Sequence, residues 1–183
     1  MTVAIRRARG DDLDFLAALV TDDEVQPFLA AGRPNDRDII GDDIRRSQEE
    51  PETFGVFVIE VDGARAGVMR FSSRGGPNRI AELGGLAVHP EFRGRKVADE
   101  AARLFQRHLF EDLGFHRLQL EVYGFNDRAM GHAERSGFVL EGRKRRAYLH
   151  DGEWVDGVIY GLTTEDLEGE PSRGSPSAAP DPS

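Results

Sequence analysis

LAVHPEFRGRKVADEAARLFQRHL, residues Leu86 to Leu109, changes character twice in one short span. An apolar, strand-like run ends at Pro90, which cannot donate to a ladder. A turn containing Gly94 and the cations Arg93, Arg95 and Lys96 follows, and helical periodicity begins at once. A turn that opens straight into a helix gathers N–H groups without carbonyl partners, and the positive end of the helix dipole adds to them. Such a turn is a site for phosphate, and the cations at its rim reinforce it.

Working outward, Ile80–Val88 reads as a strand interrupted by Gly84-Gly85, a pair that marks a bulge or a close backbone approach. A long helix is predicted over Arg95–Leu113. Leu118, Leu120 and Val122 then alternate with Gln119, Glu121 and Tyr123 as a strand, and Asn126–Ser136 reads as a helix. Phe138–Leu149 and Val155–Leu162 form a hairpin across His150–Trp154. Upstream, Thr2–Ala8 is a strand, and Asp11 or Asp12 caps a helix running through Val20. Thr21–Pro34 reads as a loop, and Asn35 or Asp36 begins a helix with Ile39, Ile40 and Ile44 inside. Phe54–Val61 and Ala64–Phe71 flank Asp62-Gly63, a strong hairpin signal. The order β-α-α-β-β-β-α-β-α-β-β mixes hairpins with strand–helix–strand crossovers. It predicts an α/β (α+β) fold whose mixed, mostly antiparallel sheet carries helices on its faces.

With 183 residues, 39% hydrophobic and 31% charged, the chain has the composition of one soluble domain. That domain is read as residues 1–168, followed by a disordered Pro/Ser/Gly-rich acidic tail over residues 169–183. There is no cysteine, which excludes thiolate nucleophiles, zinc–thiolate sites and disulfides. The net charge of -9 argues against nucleic acid or an anionic membrane as partner. Arg143-Lys144-Arg145-Arg146 alternates along a strand and is divided between its faces. The five histidines lack metal-ligand spacing, so no metal is expected. Met1–Gly10 has no apolar core of a secretory signal, so the expected location is cytoplasmic.

The central stretch resembles the acetyl-CoA-binding motif of the GCN5-related N-acetyltransferases, the GNAT superfamily. That motif is Arg or Gln, two free residues, Gly, one free residue, then Gly or Ala, after a hydrophobic-x-Pro ending. Val88-His89-Pro90 and Arg93-Gly94-Arg95-Lys96-Val97-Ala98 match it here. Asn126 through Ala129, then Ser136-Gly137-Phe138 and Glu141-Gly142, are similar to the family's Asn-x-x-Ala/Ser helix closing on a Gly-Phe-x-x-Glu-Gly strand. The later stretch through Asp151-Gly152 and Asp156 most resembles the branch of ribosomal-protein N-terminal and spermidine acetyltransferases.

The resemblance implies the GNAT fold, a sheet of about seven strands with one splayed parallel pair. Leu86, Ala87 and Val88 would pair by backbone with the pantetheine arm of acetyl-CoA. Arg93, Gly94, Arg95, Lys96, Val97 and Ala98 would hold the diphosphate, and Asn126 the pantetheine end. In this family a bulge at Gly84-Gly85 splays the strands and frees an N–H near Ala87 or Val88 for the developing oxyanion, a donor worth about 3 kcal/mol in acyl transfer. Two positions depart from the pattern: Lys96 replaces the motif's glycine, and Ala133 stands where many relatives carry a tyrosine that reprotonates the leaving thiolate. Tyr123 and Tyr148 are the alternative proton donors.

Without cysteine there is no Cys-acyl intermediate, which favours direct attack by the acceptor amine in a ternary complex. The attacking amine must be neutral, a condition met by about one-tenth of α-amines but roughly one lysine in 2500 at pH 7. Glu82, on the strand before the bulge, and Glu121, on the neighbouring strand, are the candidate bases. Acceptor residues in this family come from the loop after the first helix and from the last hairpin, here Asp22-Asp23-Glu24 and Asp151, Glu153, Trp154 and Asp156. The expectation is therefore an N-acetyltransferase using acetyl-CoA on a small-molecule or peptide amine, with a homodimer allowed by its branch. The competing expectations are a non-catalytic acyl-CoA-binding regulatory module and a nucleotide-phosphate binder without acyl chemistry.

Overall fold

The computed structural model describes residues 1–29 and 37–167. The expected tail over residues 169–183 and the expected helix start at Asn35 or Asp36 lie outside the described residues. Strands β1 (Val3–Arg7), β2 (Phe54–Val61), β3 (Ala64–Ser72), β4 (Ile80–Val88), β5 (Arg117–Tyr123), β6 (Val139–His150) and β7 (Glu153–Thr163) form one sheet, in the order β1-β2-β3-β4-β5-β7-β6. Every neighbouring pair is antiparallel except β4 and β5. Helices α1 (Leu13–Thr21) and α2 (Arg37–Glu49) cover one face, and α3 (Val97–Arg107) and α4 (Asp127–Arg135) the other. A single turn, α5 (Thr164–Leu167), ends the described chain.

The run FGVFVIEV explains why β2 sits inside the sheet. Its alternate residues supply both cores: Val56 and Val58 pack with Leu16, Leu19, Ile40 and Ile44 under α1 and α2, while Phe57 and Ile59 pack with Phe105, Leu109 and Leu118 under α3. Two-sided burial calls for a continuous apolar run. On α3, Val97, Ala101 and Phe105 recur at helical spacing and are at most 3% exposed. Each large side chain so buried contributes roughly 2 kcal/mol.

Asp62-Gly63 forms the expected hairpin turn, with φ of +49° and +83°, and the last hairpin, expected across His150–Trp154, closes more tightly on Asp151-Gly152, with φ of +49° and +82°. The helix predicted over Arg95–Leu113 is shorter. It starts at Val97 because Lys96 takes the left-handed region, and from His108 to Asp112 it widens into a π-helical turn that buries both Leu109 and Phe110.

Asp12 is fully buried and binds three elements together. It accepts hydrogen bonds from Arg6 at 2.7 and 2.8 Å, from Arg65 at 2.7 Å and from the Arg9 N–H at 2.8 Å. Burial works against its charge, but these donors outweigh it and hold the carboxyl well below its ordinary value of 3.8. The resulting stabilisation is fully present above pH 3.8 and is lost as the pH falls below it. Asp12→Asn is therefore expected to lower the unfolding free energy by about 3 kcal/mol at pH 7. The gap between variant and parent should close on acidification, as urea titrations at several pH values will show.

Candidate active site

The parallel ladder between β4 and β5 stops early. Ile80 to Leu83 pair with Arg117 to Leu120, and beyond Leu83 and Leu120 the two strands are no longer partners. The cause is on the other side of β4, where Val68 pairs with Ala87 but Arg70 with Gly84, so Gly85 and Leu86 both stand opposite Met69. This is the bulge expected from the sequence. Gly85 has φ +62°, and a Cβ there would crowd the Arg70 side chain at 3.2 Å. Arg70 is itself fixed to the buried Asp43 of α2 at 2.8 Å. The bulge thus rests on an ion pair anchored in a helix, and past it β4 and β5 are no longer paired with each other.

One end of β4 leads into the arginine-rich turn. Gly94 and Lys96 both take the left-handed region, with φ of +76° and +59°. No N–H from Gly94 through Asp99 has a hydrogen-bond partner within the described residues. Backbone curled in this way at a helix start is an anion-binding concavity. An open depression of about 500 Å³ beside it is lined by Arg95, Lys96 and Arg103 together with Asp99, Glu100 and Met1–Val3. Arg93 is placed differently from its neighbours. Its guanidinium donates to the Glu24 carboxylate, to the Glu24 carbonyl at 3.3 Å and to the Val88 carbonyl at 3.2 Å. It ties the turn to the loop after α1.

Asn126 caps α4, its Oδ1 accepting from the Ala129 N–H at 3.0 Å, which leaves the amide nitrogen as donor beside the gap. Ala133 is 2% exposed and packs into the core, so α4 presents no proton donor at that position.

The two glutamates differ in position. Glu82 lies within the paired part of the ladder, opposite Gln119, whose amide donates to it at 3.2 Å. Glu121 is the first residue of β5 past the last pair. Leu118, Leu120 and Val122 face the α3 core, which puts Glu121 and Tyr123 on the opposite face, with the loop after α1. There the Glu121 carboxylate holds the Lys144 ammonium at 2.6 Å, and its charge also reaches the Tyr148 hydroxyl. Burial and the nearby Glu121 carboxylate push the Tyr148 pKa up, which keeps its proton in place at neutral pH. Gly157 makes the cluster sterically possible, since a Cβ there would strike the Glu121 carboxylate and come within 2.7 Å of the Tyr148 ring.

Three of the expected acceptor acids, Asp22, Glu24 and Asp156, are engaged in building the site. Asp22 caps a turn by accepting from the Glu24 N–H at 2.8 Å. Asp156 anchors the irregular stretch of β6 through Arg143 at 3.0 Å and the Arg146 N–H at 2.8 Å. Asp151, Glu153 and Trp154 lie exposed at the hairpin. His150 joins that hairpin to the loop after α1, with Nε2 3.0 Å from the Pro27 carbonyl, and stacks near Tyr123 and Phe125. Lys144, Gly157 and His150 carry no local motif in the sequence, although the rarity of lysine in this chain marks the first.

A family model described as an acetyltransferase (GNAT) domain matches residues 2–139. The chain belongs to the GNAT acetyltransferase family. It is 30% identical to a putative ribosomal N-acetyltransferase of Bacillus subtilis over 109 residues, 60% of this chain and 59% of that one. With spermidine N(1)-acetyltransferase of Escherichia coli K12 it shares 28% over 102 residues, 56% of this chain and 54% of the relative. The chain therefore spans little more than half the length of these curated relatives. Two solved structures show the same fold. Mycobacterium smegmatis RimJ in complex with CoA-disulfide superposes with a TM-score of 0.78 at 23% identity, covering 90% of this chain and 83% of that one. Spermidine N-acetyltransferase from Vibrio cholerae in complex with CoA and spermine gives 0.78 at 19%, covering 91% and 98%.

Lys96 is a lysine in a backbone conformation that glycine adopts without strain. Lys96→Gly is expected to raise thermal stability by up to about 1 kcal/mol, the relieved strain exceeding the added chain entropy. Calorimetric melting of the two proteins checks this.

Proposed function

We propose that this chain is an acetyl-CoA-dependent N-acetyltransferase. It acylates a primary amine, of a protein N-terminus or a small molecule, by direct attack in a ternary complex. The observation that carries this reading is the end of the β4–β5 ladder with Glu121 as the first residue beyond it. The family and the names of its relatives, which act on amines according to those names, support the same reading.

The turn over Gly94–Ala98 fits a diphosphate, because its N–H groups lack partners and Arg95 and Lys96 add charge. Arg93 acts indirectly, by holding the turn against the loop after α1. Leu86 to Val88 present a free strand edge to the pantetheine arm, and the Asn126 amide nitrogen donates at the same gap. The bulge leaves an N–H at Ala87 or Val88 to stabilise the carbonyl oxygen as charge builds on it.

Glu121 takes the proton from the acceptor amine, in preference to Glu82, which lies behind the point where the strands separate. Tyr148, near Glu121 and protonated at neutral pH, replaces the missing tyrosine on α4 as donor to the departing sulfur. The acid group nearest the incoming amine is thus one carboxylate whose charge Lys144 already offsets.

Thiol release from acetyl-CoA with a panel of peptide and small amines tests the reading. Glu121→Gln is expected to lower kcat about 100-fold with CoA affinity unchanged, and Glu82→Gln by less than about tenfold. Equal losses in both would remove Glu121 from the role of base. Gly157→Ala should fold normally, because it displaces the flexible end of Glu121, yet lose kcat by about tenfold or more, since near-attack geometry tolerates little displacement.

A further inference from the structure

Of the 24 basic side chains in the sequence, only Lys96 and Lys144 are lysines. An arginine holds its charge under all ordinary conditions, whereas a lysine amine can release a proton and accept an acyl group. Both lysines lie at the candidate active site, and one of them is seated on the candidate base. Lys144 pairs with Gly157 of β7, which in turn pairs with Tyr123 of β5. Its side chain crosses β7 where there is no Cβ, and Lys144 and Glu121 together bridge two strand spacings, roughly 10 Å. It brings Nζ to 2.6 Å from Glu121 Oε2. Glu82 adds its charge from β4, and the Tyr148 hydroxyl feels the same Glu121 carboxylate. The position a substrate amine must take, against the base and beside the gap between β4 and β5, is held by an amine of the chain itself. With its side chain 51% exposed, Lys144 is free to leave that position and return.

We propose that Lys144 is an internal acceptor, acetylated in cis on its ε-amine by acetyl-CoA bound between β4 and β5. This rests on the reading of acetyl-CoA as donor and Glu121 as base. Glu121 takes one proton from the ε-ammonium and passes it to solvent. The freed lone pair forms the N–C bond to the thioester carbonyl, the C–S bond breaks, and the departing sulfur takes the second nitrogen-bound proton as CoA thiol. The hydrogen bond to Glu121 pushes the Lys144 pKa up, which makes the step slow compared with attack by an α-amine. Tethering at the base offsets part of that handicap, as it does in other intramolecular reactions. The product is a neutral amide, so acetylation frees the Glu121 carboxylate and changes the site from one with a resident cation to one that attracts an external cation.

The test is incubation of the full chain with acetyl-CoA and no acceptor, followed by intact-mass and peptide mass spectrometry. One acetyl group per chain is expected on Lys144, at a rate independent of protein concentration and at least about tenfold faster than on Lys96 in the same sample. Glu121→Gln should slow it at least about tenfold while retaining acetyl-CoA binding by calorimetry. Equal labelling of the two lysines, or labelling that Glu121→Gln leaves unchanged, overturns the proposal as ordinary chemical acetylation. An unmodified Lys144 in a preparation that turns over external amines overturns it and leaves the proposed function standing. A preparation that neither binds acetyl-CoA nor turns over overturns both.

Discussion

Two neighbouring parallel strands that stop bonding to each other halfway along are the constraint on which this molecule depends. Had β4 and β5 continued in register past Leu83 and Leu120, their backbone groups would satisfy one another and nothing would fit between them. Gly85 prevents this by spending an extra residue against β3, and the Arg70–Asp43 pair holds that irregularity in place from α2. An unpaired strand edge is a liability in most sheets. Here it is short, inward and available to an extended, amide-bearing ligand.

The parts around the gap are connected to one another. Arg93 joins the turn before α3 to Glu24, and His150 joins the last hairpin to Pro27, so the segment after α1 is tied to both the arginine-rich turn and the last hairpin. Asp156 and Gly157 do the corresponding work on β7, one by holding the irregular run of β6 and the other by leaving room above the sheet. Many of the charged residues near the candidate site are therefore committed to its geometry, while Glu121 and Lys144 pair with each other across β7.

Every strand was legible from periodicity and turn signals, because alternation, Asp-Gly turns and the long apolar run of β2 are local properties. The bulge was legible from Gly84-Gly85, and the basic turn before α3 from its cations and glycine. What local pattern does not encode is which charges meet across strands. Arg93 reads as one cation of a basic turn, and its partner, Glu24, is 69 positions away, so the pairing depends on the fold. Lys144 read as one member of a basic run, since only the pairing of β6 with β7 and β7 with β5 brings it to Glu121. The π-helical turn after Arg107 was hidden for a related reason, as helical periodicity continues through it and only core packing selects the wider winding.

Strand β2 has neighbours on both edges and apolar cover on both faces, an arrangement that joins the two halves of the interior through a single backbone segment. Its amides cannot meet solvent by fraying of any one helix or hairpin. Hydrogen exchange along Val56–Ile59 therefore reports the opening of the whole domain, and the halves on either side of the sheet melt as one cooperative unit.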